Sequence, residues 1–559
     1  MNLLPARNLL TIACASVALA TATSAQTRLL RFDPLPAGSS VNKVPVAGVG
    51  DLDRDGVPDL AIGRPTLNNY RGAVLLESGR NGALLAQFDG DPSQQASFGF
   101  STASLGDIDS DGYVDLAIGA VRYGTASAAP GAVYVYSGRT RTLRAVLVGD
   151  GEGDLFGSAI ASVGDLDGDG VPDFVVGAPE NGAPIGFYGA GYVKVFSGRT
   201  LAMLYRREGT HVADEYGSSI AGVGDVDHDG AADFMVGALL ERNTTSGQGS
   251  ARVYSGASGS VLRAYFGEPG SDHFGVAVGS PGDVDGDGIR DFVVGAISMT
   301  NPLPGKVWVY SGSNGSRIGT VIGPAGSGVF GLRIAPAGDV DQDGFADFWV
   351  SDPMDAATGP GLGAVHLVTG RQLKISFTMR GPNPGCGFGS TMASVDDLDR
   401  DGLPDLAIGV PGVTGVRGGV TSRLDVMSSA RYVSTFGRGC STTQIPTLDA
   451  SLPILGTTLQ VFLSTRALPS SGFCMLSRTP DLPTPLPYGC TLYIDQPTMA
   501  IVANFTTDAA GRWFGAFPLP SDPNLVGVQL AMQAMIVATA GFQLYDTTNA
   551  VYLSPTLHP

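Results

Sequence analysis

Residues 165–173 read Asp-Leu-Asp-Gly-Asp-Gly-Val-Pro-Asp, and the same D-x-D-x-D-G-x-x-D string starts again at Asp51, Asp107, Asp225, Asp283, Asp339 and Asp397. Successive copies lie 56, 58, 60, 58, 56 and 58 residues apart. Two of them, LDRDGVPDLAIG from Leu52 and LDRDGLPDLAIG from Leu398, are nearly identical although 346 residues separate them. A fixed period of this size marks a repeat architecture. Around the third copy, Gly157–Gly164 (GSAIASVG) leads into the acidic string and Asp173–Gly177 (DFVVG) leads out; Gly191–Gly198 (GYVKVFSG) and Leu201–Arg206 (LAMLYR) follow. These short, β-rich runs bounded by Gly, Pro or Asp read as four strands. Seven such units predict an all-β chain whose main body is a seven-bladed β-propeller of four-stranded blades, because radial closure hides the strand edges. The segment Arg28–Asp33 (RLLRFD) resembles the outer-strand run Leu84–Asp89 (LLAQFD), so the N-terminus is expected to supply the fourth strand of the last blade.

Composition agrees. A chain of 559 residues is too long for one ordinary compact domain unless it closes into a ring. It holds 80 glycines yet is 43% apolar and only 15% charged, which suits short strands joined by tight turns. Acid exceeds base by 52 to 34, for a net charge of −18, which excludes a nucleic-acid partner for lack of a basic footprint. Residues 1–25 read as a signal peptide: Arg7, an apolar Leu9–Ala20, and the small residues Thr23-Ser24-Ala25 before Gln26. Export is therefore expected, to the outside or the cell surface. Cys14 leaves with the signal, and Cys386, Cys440, Cys474 and Cys490 remain, enough for two disulfides. The uncharged stretch Leu525–Tyr545 carries Gln529, Gln533 and Gln543 and alternates in polarity, so it reads as a pair of strands and not as a membrane span.

Phe98-Gly99, Phe156-Gly157, Tyr216-Gly217, Phe274-Gly275, Phe330-Gly331 and Phe388-Gly389 precede the acidic strings, and Gly119-Ala120, Gly177-Ala178-Pro179 and Gly409-Val410-Pro411 follow them. This pattern resembles the FG-GAP repeat of the integrin α-subunit N-terminal propeller, over about Gln26 to Phe436. The first repeat lacks its Phe-Gly pair, and the sixth has Ser351-Asp352-Pro353 in place of Gly-Ala-Pro. All seven strings keep four aspartates, whereas integrin propellers usually carry calcium loops in only some blades. The resemblance implies ligand contact on the face opposite those loops. The variable loops there are Pro65–Arg71, Arg122–Pro130, Pro179–Tyr188, Leu239–Gly247 and Pro353–Gly361, and the expected contacts are Tyr70, Arg71, Arg122, Tyr123, Phe187 and Tyr188.

Carboxylates at positions 1, 3, 5 and 9, with the carbonyl of position 7, can wrap oxygens around one hard cation, and Ca²⁺ takes six to eight such oxygens. The expected ligands are Asp51, Asp53, Asp55, Val57 and Asp59; Asp107, Asp109, Asp111, Tyr113 and Asp115; and Asp165, Asp167, Asp169, Val171 and Asp173. They continue with Asp225, Asp227, Asp229, Ala231 and Asp233; Asp283, Asp285, Asp287, Ile289 and Asp291; Asp339, Asp341, Asp343, Phe345 and Asp347; and Asp397, Asp399, Asp401, Leu403 and Asp405. An EF-hand is excluded, since its twelfth position would need Glu where Ile62, Ile118 and Ile408 stand. The seven strings hold 28 of the 52 acidic residues, and outside them and the signal the chain is basic, 33 against 24. The acidity belongs to the sites. Up to seven structural Ca²⁺ are expected, because the loops are alike and each sits between strands.

Only five histidines exist, and His228 fills position 4 of its loop, where siblings carry Arg54, Ser110, Gly168, Gly286, Gln342 and Arg400. No G-x-S-x-G, H-E-x-x-H, P-loop or C-x-x-C is present, so no catalytic residue is assigned. After Phe436 the repeat stops, and residues 437–559 read as a small β-sandwich. Phe436-Gly437-Arg438-Gly439-Cys440, Gly489-Cys490-Thr491-Leu492 and Thr507–Gly511 resemble a C-terminal β-domain of secreted repeat proteins from environmental bacteria. That resemblance implies a Cys440–Cys490 disulfide; Cys386 and Cys474 could pair or stay free. The expectation is a non-catalytic binding or adhesion module for an extracellular protein or glycan. The alternatives are a part of a secreted hydrolase, since FG-GAP propellers also accompany phospholipase D-type enzymes, and a structural envelope component.

Overall fold

Strand patterns in the repeats become seven antiparallel sheets in a computed structural model of the chain. It describes residues 28–32 and 45–427 other than 93–95, 122–129, 152, 180–188, 243–247, 269–272, 299–302, 326, 342, 356–360, 382–386, 399, 401 and 415–419. Beyond 427 it describes strands only. The chain divides into one unit spanning Arg28–Ser429 and another containing Ala430–Pro559.

The first blade pairs Val46–Gly48, Leu60–Arg64, Ala73–Glu77 and Leu84–Asp89 in sequence order. The third pairs Ala159–Gly164, Asp173–Ala178, Tyr192–Phe196 and Met203–Glu208, close to the runs read from the sequence. Blades two, four, five and six repeat this order from Phe98, Tyr216, Phe274 and Ile334. A single parallel bridge, Gly249 to Phe274, also joins the fourth sheet to the fifth. In the seventh sheet Met392–Val395, Asp405–Thr414 and Val420–Met427 are completed by Arg28–Phe32 from the other end of the chain. Leu30 faces Val426 and Phe32 faces Leu424. Each innermost strand contacts that of the next blade, and Met392–Val395 contacts Val46–Gly48, so the seven blades form a closed propeller.

Burial peaks in the second strand of each blade; innermost strands such as Ala159–Gly164 are mostly half-buried, and the outer strands are the most exposed. Second strands such as Asp115–Ala120, Asp173–Ala178 and Asp291–Ala296 are buried at every residue, which is why they read as unbroken apolar runs. Outer strands alternate: Leu143, Val146 and Val148 are exposed on one side of theirs. The cores lie between blades. One cluster takes Val293, Val307 and Val309 from the fifth blade and Phe330, Phe348 and Val350 from the sixth.

The Phe-Gly and Gly-Ala motifs are two halves of one inter-blade joint. Phe156 is fully buried, and the Gly157 N–H donates to the Gly177 carbonyl of its own blade at 3.0 Å. Gly157 has φ +93°, and its carbonyl oxygen lies 2.3 Å from where a Cβ on Gly119 of the preceding blade would stand. A side chain at Gly119 would push the blades apart. The same approach recurs between Gly177 and Gly217, Gly237 and Gly275, and Gly295 and Gly331. In the sixth blade Ser351 stands at this position, and its Oγ accepts the Arg333 N–H at 3.0 Å.

Outside the propeller unit the strands form a sheet with Ser471–Arg478 beside Ala500–Thr506 and Leu530–Val537, and a second sheet of Thr447–Ala450, Thr458–Ser464 and Arg512–Pro518. Leu530–Val537 lies inside the stretch 525–545, and the strand it pairs with, Leu544–Thr547, runs past its end. Val433–Phe436 pairs with Ala550–Leu553. Among the described residues no helix is long and apolar enough to cross a membrane.

Candidate metal centres

Each acidic string lies between the first and second strands of its blade, and among the described residues its carboxylates accept the turn's own amides. In the third blade the Asp165 carboxylate accepts the N–H groups of Gly168 and Asp169 on Oδ1 (2.7 and 3.2 Å) and of Gly170 on Oδ2 (2.8 Å). Asp167 Oδ1 accepts the Asp169 N–H, and Asp169 Oδ1 accepts the Val171 N–H at 2.9 Å. Position 4 takes a left-handed conformation in Arg54, Ser110, His228 and Arg400, with φ from 60° to 64°. Two siblings are Gly for the same reason.

The aspartate at position 9 has a second role. Asp59, Asp115, Asp173, Asp233, Asp291, Asp347 and Asp405 are completely buried. Asp173 Oδ2 accepts the Leu166 N–H at 2.8 Å, and its Oδ1 accepts the Gly198 N–H at 2.8 Å. Gly198 belongs to the Ser-Gly turn after the third strand, so this carboxylate ties three strands together at one end of the blade. Gly79, Gly138, Gly256, Gly312 and Gly370 make the same bond in their blades. A Cβ on Gly198 would lie 1.9 Å from the Pro172 carbonyl oxygen. Gly198→Ala should therefore destabilise the fold by about 3 kcal/mol in denaturant unfolding; an unchanged midpoint would show that the turn can move away.

Carboxylate oxygens from positions 1, 3 and 9 converge within 4.8 Å of one another in Asp51/Asp53/Asp59, Asp107/Asp109/Asp115 and Asp165/Asp167/Asp173, and those of Asp225, Asp227 and Asp229 do so in the fourth blade. Position 5 is held from outside as well: Arg80 Nε lies 3.2 Å from Asp55 Oδ2 and Arg199 Nε 3.0 Å from Asp169 Oδ2. Asp399 and Asp401 of the seventh string lie outside the described residues. Three ionised oxygens brought so close, with hard-donor chemistry throughout, suit a divalent cation. The acidic clusters could hold a metal.

Burial also shifts their titration. Asp59, Asp115, Asp173, Asp233 and Asp291 are pushed from the ordinary 3.8 up to about 6, and Asp347 to about 7, with backbone N–H bonds pulling the other way. Folding thus disfavours the ionised form when no cation is bound. The stabilising contribution of these groups is complete below the unfolded value and is lost as pH rises through 6 to 7. His366, buried and held down to about 4, acts in the opposite sense below 6.5, but six carboxylates outweigh one imidazole. Chelated protein should melt higher at pH 5.5 than at pH 7.5, and a flat or inverted profile would contradict the burial argument.

Of the expected ligand contacts, Tyr70 is 43% exposed at the end of a turn in which Asn68, Asn69 and Tyr70 all have left-handed φ (53°, 59° and 64°). Arg71 instead donates through Nε to the Gly90 carbonyl at 2.5 Å. Arg122, Tyr123, Phe187 and Tyr188 lie outside the described residues, as do Cys440, Cys490 and residues 1–25. Each acidic turn enters its second strand, and the chain leaves that strand at its other end, where Pro65–Arg71 follows in the first blade; in the fourth blade Leu239–Arg242 still belongs to the strand Asp233–Arg242.

The FG-GAP repeat family matches residues 45–76, 98–136, 156–196 and 388–423, and the FG-GAP-like repeat matches 283–350. Three of these matches begin on Phe98, Phe156 and Phe388, the aromatic halves of the inter-blade joint. The chain carries FG-GAP repeats on a β-propeller and is similar to integrin α subunits. Integrin alpha-6 of Gallus gallus is 30% identical over 222 residues, covering 37% of this chain and 20% of the integrin. Integrin alpha-5 of Xenopus laevis is 32% identical over 211 residues, 35% of this chain and 19% of its own length. Integrin alpha-4 of Xenopus laevis is 35% identical over 141 residues, 23% and 13% of the two chains. The FG-GAP protein thus spans a fifth or less of these relatives' length.

What sequence reasoning missed is the Ser-Gly turn as the anchor of position 9. It was available as a signal: Ser78-Gly79, Ser137-Gly138, Ser197-Gly198, Ser255-Gly256 and Ser311-Gly312 recur in phase with the acidic strings.

Proposed function

We propose that the FG-GAP propeller is an exported, non-catalytic binding module whose acidic turns hold structural calcium and whose opposite face contacts an extracellular protein or glycan. The observation that carries the calcium reading is the convergence of position 1, 3 and 9 carboxylates, all oxygen donors, within 4.8 Å in successive blades. Calcium tolerates the irregular coordination such a turn offers, with the position 7 carbonyl and position 5 carboxylate at hand. The division of faces rests on topology: carboxylates at one end of the second strands, variable loops at the other. Tyr70 supports it, because three consecutive left-handed residues cost energy that an idle loop would shed. The second unit is proposed as a small β-sandwich closed by a Cys440–Cys490 disulfide. Export rests on residues 1–25 read as a signal peptide.

The test is an array of glycans and matrix proteins probed with the calcium-loaded protein and with Tyr70→Ala. A ligand whose binding falls at least tenfold in Tyr70→Ala, with the melting temperature unchanged, supports the assignment. Binding lost instead in Asp285→Ala, with the fold intact, would move the functional site to the acidic face.

A further inference from the structure

One of the seven acidic turns already contains a cation. In every blade the third and fourth strands are offset by a bulge at the same point, which leaves one residue of the outer strand without a partner in the ladder: Leu85, Arg144, Leu204, Leu262, Ile318, Ser376 and, in the strand closing the seventh blade, Leu29. Leu85, Leu204, Leu262 and Ile318 pack against the inter-blade cores. Arg144 instead reaches into the acidic turn of its own blade. Its Nη1 lies 3.2 Å from Asp115 Oδ2 and its Nε 3.6 Å from Asp109 Oδ2. Those are two of the three carboxylates, Asp107, Asp109 and Asp115, whose oxygens converge in this blade. Asp115 is completely buried and the Arg144 side chain is 21% exposed, so the pair is largely shielded from water. Two further guanidinium groups approach the same turn: Arg54 lies 4.3 Å and Arg139 5.8 Å from the Tyr113 ring centroid. In the first and third blades the arginines Arg80 and Arg199 touch position 5 and leave the triad of positions 1, 3 and 9 open.

A guanidinium cannot give up its charge at any pH the protein meets, and it competes for the same oxygens a divalent ion needs. We propose that Arg144 replaces the metal ion in the second blade, so that the ring takes at most six calcium ions and this blade holds its shape when calcium is removed. The inference rests on the calcium reading above. It makes the second blade a metal-independent segment within a ring whose other blades respond to calcium.

Native mass spectrometry of the full chain, titrated with calcium, tests it. Arg144→Leu, the residue of four sibling blades, should bind one more ion than the wild type. Asp109→Ala should leave the wild-type count unchanged, whereas Asp167→Ala should lower it by one. Hydrogen exchange gives an independent readout: in excess chelator the amides of 107–115 should stay protected while those of 165–173 become at least tenfold faster. Loss of one ion in Asp109→Ala, or deprotection of both segments together, would overturn the role of Arg144 and leave the calcium reading standing. A wild-type count of zero would overturn both.

Discussion

Excess chelator should lower the melting temperature of the full chain by on the order of 20 °C. One site at a hundred times its Kd adds about 2.7 kcal/mol, and several sites of one ring act on the same unfolding transition. The physical source of the loss is specific. With no cation, a turn such as that of the third blade holds four carboxylates in nine residues, and its position 9 carboxylate, Asp173, is buried against the Ser-Gly turn that follows the third strand. Removing the ion leaves those charges to repel one another at the point where three strands meet, and the fold must protonate them or splay the turn. An identical melting curve with and without chelator would mean that the amides donated to the carboxylates satisfy the turns unaided.

The second large effect concerns closure. Deleting residues 26–34 removes Arg28–Phe32, which pairs with Val420–Met427 and is the only link in the ladder between the two ends of the propeller unit among the described residues. The exposed edge would then be a strand of the seventh blade, a template for pairing with a second copy. The truncated protein should aggregate, or be cut by protease within 380–427 before the second to fifth blades are touched. A truncated chain that stays monomeric and resistant would show that the inner-strand contact of Met392–Val395 with Val46–Gly48 closes the ring by itself.

The ring was legible because its determinants repeat. Phe-Gly, Gly-Ala and the acidic strings recur at one period, and each marks a place where backbones approach so closely that few residues fit. The N-terminal strand was legible for a related reason: RLLRFD matches the outer-strand pattern of LLAQFD, exposed on one side and covered on the other. What stayed hidden is what departs from the repeat or arises only from pairing. Arg144 looks like any surface arginine in the run Leu143–Val148; only the bulge opposite Val135 and Tyr136 turns its position toward Asp109 and Asp115. The anchoring role of position 9 was hidden because its partner glycine lies 20 to 25 residues away and carries no side chain to suggest a contact. The bond from Arg71 Nε to the Gly90 carbonyl was hidden for the same reason, since its acceptor is a backbone oxygen 19 residues away.

On the proposed function, the acidic turns are cation sites that hold the propeller together. The most direct measurement is elemental analysis of the purified full chain after dialysis against metal-free buffer containing micromolar calcium. The chain should carry several calcium ions and no stoichiometric zinc, and release all of the calcium to chelator. Protein that stays folded and retains no divalent ion under those conditions would contradict it.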